Sequence, residues 1–249
     1  MKKPLLFIFL TFLSFSCQEK PLTINDFIII EITDEVLNKY NIPSDISYDQ
    51  IRYRFRELHT IFLRNVRDLA KFIILDFFYD DHGIEKIDNK FINELYTLNN
   101  VCICAGGIYK GDLYSTHSSF SNASKYTGHT FYQKDNLDGY WVPKYKRLPV
   151  NNDDETSGKD FKYVSIILLN HLNIDCNFRS YVYVKSDEIN RFKRINFTNF
   201  LKNTNIAKNK IVILIAQLKD NLDMHDIPNY GKITGPELIC NTILKNISN

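Results

Sequence analysis

The sequence predicts an α/β fold: a three-layer sandwich with a mostly parallel central sheet and an irregular, aromatic-rich middle insertion. Apolar runs at 27–32, 71–75, 101–105 and 210–218 lack the alternation of half-exposed strands, which favours strands buried on both faces of a sheet. Segments with helical spacing separate the first three runs, and this order is typical of right-handed parallel crossovers.

The first predicted strand, 27–32, contains Glu31 as its one charged residue, and the tripeptide Thr33-Asp34-Glu35 ends it. After a loop, 51–72 places apolar residues at the spacing of an amphipathic helix. Its arginines lie mostly off the apolar stripe, so we interpret them as a solvated helix face. The net charge of +2 gives no indication of a nucleic-acid partner.

The stretch 71–81, KFIILDFFYDD, organises the predicted sheet. Its apolar run reaches Asp76 near the carboxyl end of a parallel strand, which is where open α/β sheets bind their ligands. The alternative role for Asp76 is to organise the turn that follows. A turn and a helix that begins at Asp88 lead to the third strand, which Gly106-Gly107 ends.

The middle insertion, 108–160, mixes aromatic residues with Ser, Thr, Asn and Gly. Such mixtures serve sugar or protein recognition, but we favour the interpretation that most of these rings pack beneath a long loop. Beyond the insertion we predict a mostly buried helix, a strand, a helical turn, the last buried strand and a final helix with Pro in its first turn, at 162–172, 181–185, 197–201, 210–218 and 235–247.

The first seventeen residues have the proportions of a secretory signal peptide, with Lys2 and Lys3 before an apolar run at 5–15. That run is too short to cross a bilayer, which needs about 20 residues. Ser16-Cys17 resembles the lipobox of bacterial lipoproteins, in which the Cys becomes the acylated first residue. The alternatives are an ordinary cleaved signal and an uncleaved anchor.

We therefore predict a signal peptide over 1–17 with Cys17 as the lipid site, a tether over 18–25, and one α/β domain over 26–249. The predicted location is the cell envelope, lipid-anchored on the extracytoplasmic side of a bacterial membrane. Cys102, Cys104, Cys176 and Cys240 are interpreted as small buried apolar residues, although export permits a long-range disulfide.

Carboxylates at the strand ends are the sharpest indication of a site. Asp34, Asp76 and Asp223 would each follow a parallel strand, so they would converge on a hard cation or a polar small molecule if those strands are neighbours. We include His225 in this predicted ligand-binding set, although an exposed loop position is the ordinary role of such a histidine. No cofactor is predicted beyond a bound cation.

Catalytic motifs are absent from the sequence. It contains no Gly-x-Ser-x-Gly elbow, His-Glu-x-x-His pair or phosphate-binding glycine loop. Ser and His are plentiful at 115–119, and His82 lies beside Asp80 and Asp81, yet nothing in the sequence ties a base to a nucleophile. We therefore expect a binding protein rather than an enzyme.

Several segments match one family pattern in order. They are FIIIEITDE at 27–35, FIILDFFYDD at 72–81, VCICA at 101–105, Asp138-Gly139, KIVILI from Lys210, Asp223 with Pro228, and GPELICN from Gly235. Together they resemble the type-two CHASE domain, the extracellular sensor found with bacterial histidine kinases and nucleotide cyclases. The resemblance spans about 25–248 and implies a sensor-like domain that binds a small ligand or a membrane-protein partner.

The sequence departs from that pattern at named positions. Thr33 replaces a usual Asp, Ile227 replaces a Thr before the Pro, and Ile239-Cys240 replaces a polar-small pair. Ligands held by those groups in the family are not expected here. Family members also continue into transmembrane helices and an output domain, which this sequence does not show, so we expect a signal to pass through a membrane partner. The alternatives are an exported hydrolase that uses the strand-end carboxylates and a structural surface lipoprotein.

Overall fold

The computed structural model describes residues 21–43, 48–109, 112–134, 139–148, 159–175, 180–185, 189–218, 224–227 and 231–247. The helices are α1 (Asp34–Lys39), α2 (Tyr48–Val66), α3 (Glu85–Tyr96), α4 (Ser118–Ala123), α5 (Val164–His171), α6 (Phe197–Lys202) and α7 (Gly235–Ile247). The strands are β1 (Phe27–Ile32), β2 (Phe72–Leu75), β3 (Val101–Cys104), β4 (Gly106–Tyr109), β5 (Asp112–Ser115), β6 (Tyr126–Gly128), β7 (Gln133–Lys134), β8 (Gly139–Pro143), β9 (Tyr145–Leu148), β10 (Lys159–Lys162), β11 (Tyr181–Lys185), β12 (Lys193–Asn196), β13 (Ile211–Ala216), β14 (Met224–Ile227) and β15 (Gly231–Thr234).

A six-stranded parallel sheet forms the middle layer, with the strand order β12-β1-β13-β2-β3-β6. The predicted apolar runs form the strands of this sheet. Consecutive residues of β13 are buried, because side chains that point to either face of the sheet are covered. The predicted α/β class with a parallel central sheet is confirmed.

The first face of the sheet is covered by α1, α2, α3, α4 and α6. Alternate strand residues such as Ile28, Ile30 and Ile73 point into this layer. They pack against Phe55 and Phe62 of α2, whose apolar stripe had indicated an amphipathic helix.

The second face carries α5, α7 and the inner side of the antiparallel pair β8 and β11. Strand residues of the opposite parity, including Ile29, Ile74 and Ile213, pack into this layer. Helix α5 is apolar almost all round because it is buried between the sheet and α7. Layers on both faces complete the predicted three-layer sandwich.

The middle insertion is less irregular than predicted, because it contains α4, the parallel edge strand β6 and residues of several short antiparallel pairs. These pairs are β4 with β5, β7 with β8, β8 with β11, and β9 with β10. Most of its described aromatic rings are buried or half-buried, Phe120 and Tyr140 fully so, which supports the packing interpretation. Trp141 and Tyr145 remain 43% and 48% exposed.

Two predicted boundaries change. Leu22 lies within the predicted tether, yet its side chain is buried in the second-face core, so the packed domain begins before residue 26. The second change lies between the strand predicted at 210–218 and the final helix, where β14 and β15 form a hairpin although the sequence indicated no strand. Within the described ranges, no helix is long and apolar enough to cross a membrane.

Candidate functional site

The carboxyl edge of the sheet contains a point where the chain changes sides. The connections that leave β1 and β2 run to α1 and α3 on the first face, whereas the chain that leaves β13 reaches α7 on the second face. Since β13 lies between β1 and β2, the connections diverge here, and open α/β sheets bind ligands in the crevice at such a point.

Polar side chains end the strands at this point. Strand register places Glu31 of β1 opposite Ile215 of β13, and Asp76 follows Leu75, whose partner is Leu214. By alternation, Glu31 and Asp76 point toward the second face, as does Cys104 at the end of β3. We call Glu31, Asp76, Cys104 and Ile215 the switch-point edge. Two strand spacings separate Glu31 from Asp76, which is roughly 10 Å.

Asp76 is half-buried and held from two sides. Its backbone N–H donates to the Leu214 carbonyl at 3.1 Å, which extends the ladder of β2 by one residue. Its Oδ1 accepts a hydrogen bond from the Cys104 thiol at 3.1 Å. Burial, together with the Asp76 charge, raises the pKa of Cys104 well above its usual range. The thiol therefore stays protonated and acts as a donor to Asp76.

Tyr163, which precedes α5, keeps its proton beside the same carboxylate. Its pKa is raised chiefly by complete burial and further by the charge of Asp76. Thr130 also lies beside Cys104, with 3.9 Å between its hydroxyl and the thiol sulfur. The Asp76 carboxylate thus lies beside a buried thiol that donates to it and near a buried phenol that keeps its proton.

Glu31 belongs to an ion-pair network with Arg194 of β12. Their charged atoms are 3.0 Å apart, and Arg194 also donates to the Thr234 hydroxyl at 3.3 Å. Glu237 in the first turn of α7 accepts from the Thr234 N–H at 3.0 Å and pairs with Arg191 at 3.2 Å. The network fixes the start of α7 over the sheet and gives Glu31 a cationic partner in Arg194.

The predicted site residues are only partly brought together. Asp34 is the first residue of α1 and follows β1, so it lies at the predicted edge, two strands from Asp76. His225 lies in β14 opposite Ile233. Asp223 and Cys17 fall outside the described residues. The prediction required that the strands before Asp34, Asp76 and Asp223 be neighbours in the sheet. This condition is met, because β13, which precedes Asp223 in the chain, lies between β1 and β2.

Within the described ranges, no three acidic, His or Cys side chains lie close enough together to hold a metal ion. The described cysteines Cys102, Cys104 and Cys240 are buried free thiols, and burial raises the pKa of each. Their predicted role as buried apolar residues is confirmed. Cys176 lies outside the described residues.

Sequence reasoning missed Glu31, Arg194 and Glu237 as parts of the edge. Glu31 was interpreted only as an interruption of an apolar strand, although a charged residue in a strand buried on both faces is itself a signal, because its charge needs a partner. Arg194 carries no comparable signal, since it lies 163 residues from Glu31 in the chain. Comparisons with protein-family models, with curated proteins and with solved structures found no match to the chain.

Proposed function

We propose that this protein is a sensor-like binding module that takes a small polar ligand at the switch-point edge. The observation that carries the proposal is Asp76: a half-buried carboxylate beside a thiol donor, at the edge where the connections from neighbouring strands leave to opposite faces. A ligand with an ammonium or hydroxyl group suits such an acceptor because charge-assisted hydrogen bonds are the strong ones.

The location is part of the same proposal. A lipid on Cys17 would hold the domain on the extracytoplasmic side of a bacterial membrane, since several acyl chains at about 0.8 kcal/mol per buried methylene anchor stably. The resemblance to the type-two CHASE domain supports a sensory role. Signalling would then pass through a membrane-protein partner that reads the ligand-bound domain.

The hydrolase alternative receives less support at this edge. The carboxylates would have to act as an acid and a base, yet Glu31 is paired with Arg194 and Asp76 accepts a thiol hydrogen. Binding is the function that this arrangement supports best.

A thermal-shift screen of the chain in mild detergent, against divalent cations, sugars, polyols and amine metabolites, tests the proposal. A ligand present at 100 times its Kd stabilises by about 2.7 kcal/mol, which corresponds to a rise in Tm of roughly 5 °C or more. We expect Asp76→Asn to reduce the rise to about half or less, because a Kd at least about tenfold higher lowers the stabilisation to about 1.4 kcal/mol or less. Asp68→Asn, at an exposed position just before the other end of β2, is the matched control and should retain it. A ligand that stabilises Asp76→Asn as much as wild type would contradict the proposal.

A further inference from the structure

Three side chains on the opposite side of the carboxyl edge form a serine–histidine–aspartate contact series. The Ser119 hydroxyl lies 2.9 Å from Nε2 of His82, and Nδ1 of the same imidazole lies 3.4 Å from Oδ2 of Asp88. The two ring nitrogens thus face the two partners that a nucleophile–base–carboxylate relay requires. Ser119 lies in α4, His82 in the connection after β2, and Asp88 in α3.

His117 is a second imidazole beside Ser119. The His117 side chain caps α4, and its Nδ1 accepts the Ser119 backbone N–H at 3.3 Å. The same Nδ1 lies 2.9 Å from the Ser119 hydroxyl. The Ser119 hydroxyl thus lies equally close to two imidazoles, and the proposed role of His82 requires the arrangement in which Nε2 of His82 accepts the hydroxyl proton. The Asp88 carboxylate correspondingly favours a proton on Nδ1 of His82, so the tautomer is the one that accepts from serine.

The segment that carries His82 is held rigidly by two helices. Gly83 donates its backbone N–H to Oδ2 of Asp88 at 2.7 Å, and Arg56 of α2 donates to the Asp81 carbonyl. Arg52 of α2 pairs with Asp80. Three anchored residues beside His82 fix the position of its backbone, which is the support that a relay histidine needs.

We propose that Ser119 is a nucleophile that takes acyl groups from small carboxylic esters, with His82 as its general base and Asp88 as the residue that positions His82. His82 is 44% exposed and Asp88 is 1% exposed, so the reacting end is open to solvent while the positioning carboxylate is buried. An open site of this kind suits small esters rather than long acyl chains that need an apolar tunnel.

The proposed reaction is ester hydrolysis, with the ester and water as its two reactants. The Ser119 oxygen bonds to the ester carbonyl carbon, and its proton moves to Nε2 of His82. The bond from that carbon to the alkoxy oxygen then breaks, and the proton passes from His82 to the leaving alcohol. Water attacks the acyl-serine with His82 again taking a proton, which releases the carboxylic acid and restores Ser119.

Two features make the expected reaction slow. Oδ1 of Asp88 accepts a hydrogen bond from Arg56 at 2.6 Å, so the cation offsets part of the charge that would stabilise an imidazolium. The Ser119 N–H, which would be a natural oxyanion donor, is given to His117 instead. Losing one such donor costs about 100- to 1,000-fold in rate. Covalent labelling is therefore a sharper test than turnover.

The test is the rate of labelling of the full chain by a fluorophosphonate, in which the serine oxygen bonds to phosphorus and fluoride leaves. Peptide mass spectrometry should place the label on Ser119. We expect no label in Ser119→Ala and a labelling rate about 100-fold lower in His82→Ala. Added imidazole should restore labelling in His82→Ala, a rescue that a merely structural role would not give.

Ser121→Ala, two residues further along the same helix, is the matched control and should label at the wild-type rate. A label spread over Ser118, Ser119 and Ser121, or a rate that is unchanged in His82→Ala, would overturn the proposal. Circular dichroism of each variant separates lost reactivity from lost folding, and imidazole rescue in the folded His82→Ala protein remains decisive.

Discussion

His59 is a fully buried histidine enclosed by aromatic rings, and its burial makes the stability of the domain depend on pH. Its ring centroid lies 4.2 Å from that of Phe77 and 5.6 Å from that of Phe91, and its Nδ1 is 3.0 Å from the Tyr79 hydroxyl. Burial, and secondarily the Arg56 cation, lowers the pKa of His59 well below 6.5. Burial likewise lowers the pKa of His129 to about 4.

Both histidines predict a loss of stability in mild acid. A depressed pKa means that the folded state stays neutral while the unfolded state binds a proton below about pH 6.5. The free energy of unfolding is therefore full above that pH and falls below it, by up to about 1.4 kcal/mol per pH unit for each histidine. For His129 the fall continues to about pH 4.

Urea unfolding between about pH 5 and pH 7 measures this slope. We expect His59→Phe to reduce it by up to one proton, because one titrating group is removed. Tyr79→Phe, which deletes the hydroxyl but leaves His59 to titrate, is the control and should keep the wild-type slope. An identical slope in wild type and His59→Phe would refute the assignment.

At the scale of single residues, the sequence predicts some positions but not the contacts between distant ones. Asp76 was predictable because a strand-end acid is visible in a contiguous run, and it indeed follows β2. The contact between Ser119 and His82 was not, since 37 residues separate them and only the packing of α4 beside α3 brings them together. Local patterns identify the ends of strands, but they do not show which loops meet.

At the scale of elements, the close approach of the His82 segment to α2 depends on Gly83. A Cβ added to Gly83 would lie 2.2 Å from Cγ and Cδ1 of Tyr53 and 2.6 Å from its Cβ. The near atoms include the base of the Tyr53 side chain, so rotation of the ring alone does not relieve the clash. The connection from β2 to α3 is thus packed directly on α2.

We expect Gly83→Ala to destabilise the protein by about 1–3 kcal/mol, the usual cost of overpacking. The measurement is a double-mutant cycle in urea, with Tyr53→Ala as the second substitution. In the Tyr53→Ala background, Gly83→Ala should cost much less because the clashing ring is gone. Equal costs in both backgrounds would show that the contact between Gly83 and Tyr53 is not the cause.

Elements themselves were largely predictable, because their signals are local. The periodic segment at 51–72 corresponds to α2, and the apolar runs correspond to β1, β2, β3 and β13. The helix predicted from Asp88 instead begins at Glu85, and Asp88 is buried against Arg56 within it. An acid at the end of a polar loop resembles a cap in sequence, whereas its pairing with an arginine 32 residues earlier is visible only in three dimensions.

At the scale of the whole molecule, the proposed anchor gives a direct prediction about location. Cys17→Ser should move the protein from the membrane fraction to the soluble fraction, because the lipid attachment atom is removed. Fractionation of cells that express each form, followed by immunoblotting, measures the distribution. Cys176→Ser is a control that should remain with the membrane, and retention of Cys17→Ser there would count against lipidation.

The strand order decides which loops converge, and the sequence could not supply it. Helical and strand signals fix the order of elements along the chain, but the insertion of β13 between β1 and β2 joins segments about 180 residues apart. This insertion creates the switch-point edge and places Asp76 there. The resemblance to a sensor domain supplied the expectation of a ligand, and the switch-point edge is where we propose that a ligand binds.

The most direct measurement is a calorimetric titration of the strongest ligand from the screen into wild type, Asp76→Asn and Asp68→Asn. A charge-assisted hydrogen bond to a buried partner contributes about 1.5–3 kcal/mol. The expected result is one site per chain in wild type and Asp68→Asn, with Kd at least about tenfold higher in Asp76→Asn. Equal Kd values in all three proteins would contradict a ligand site at the switch-point edge.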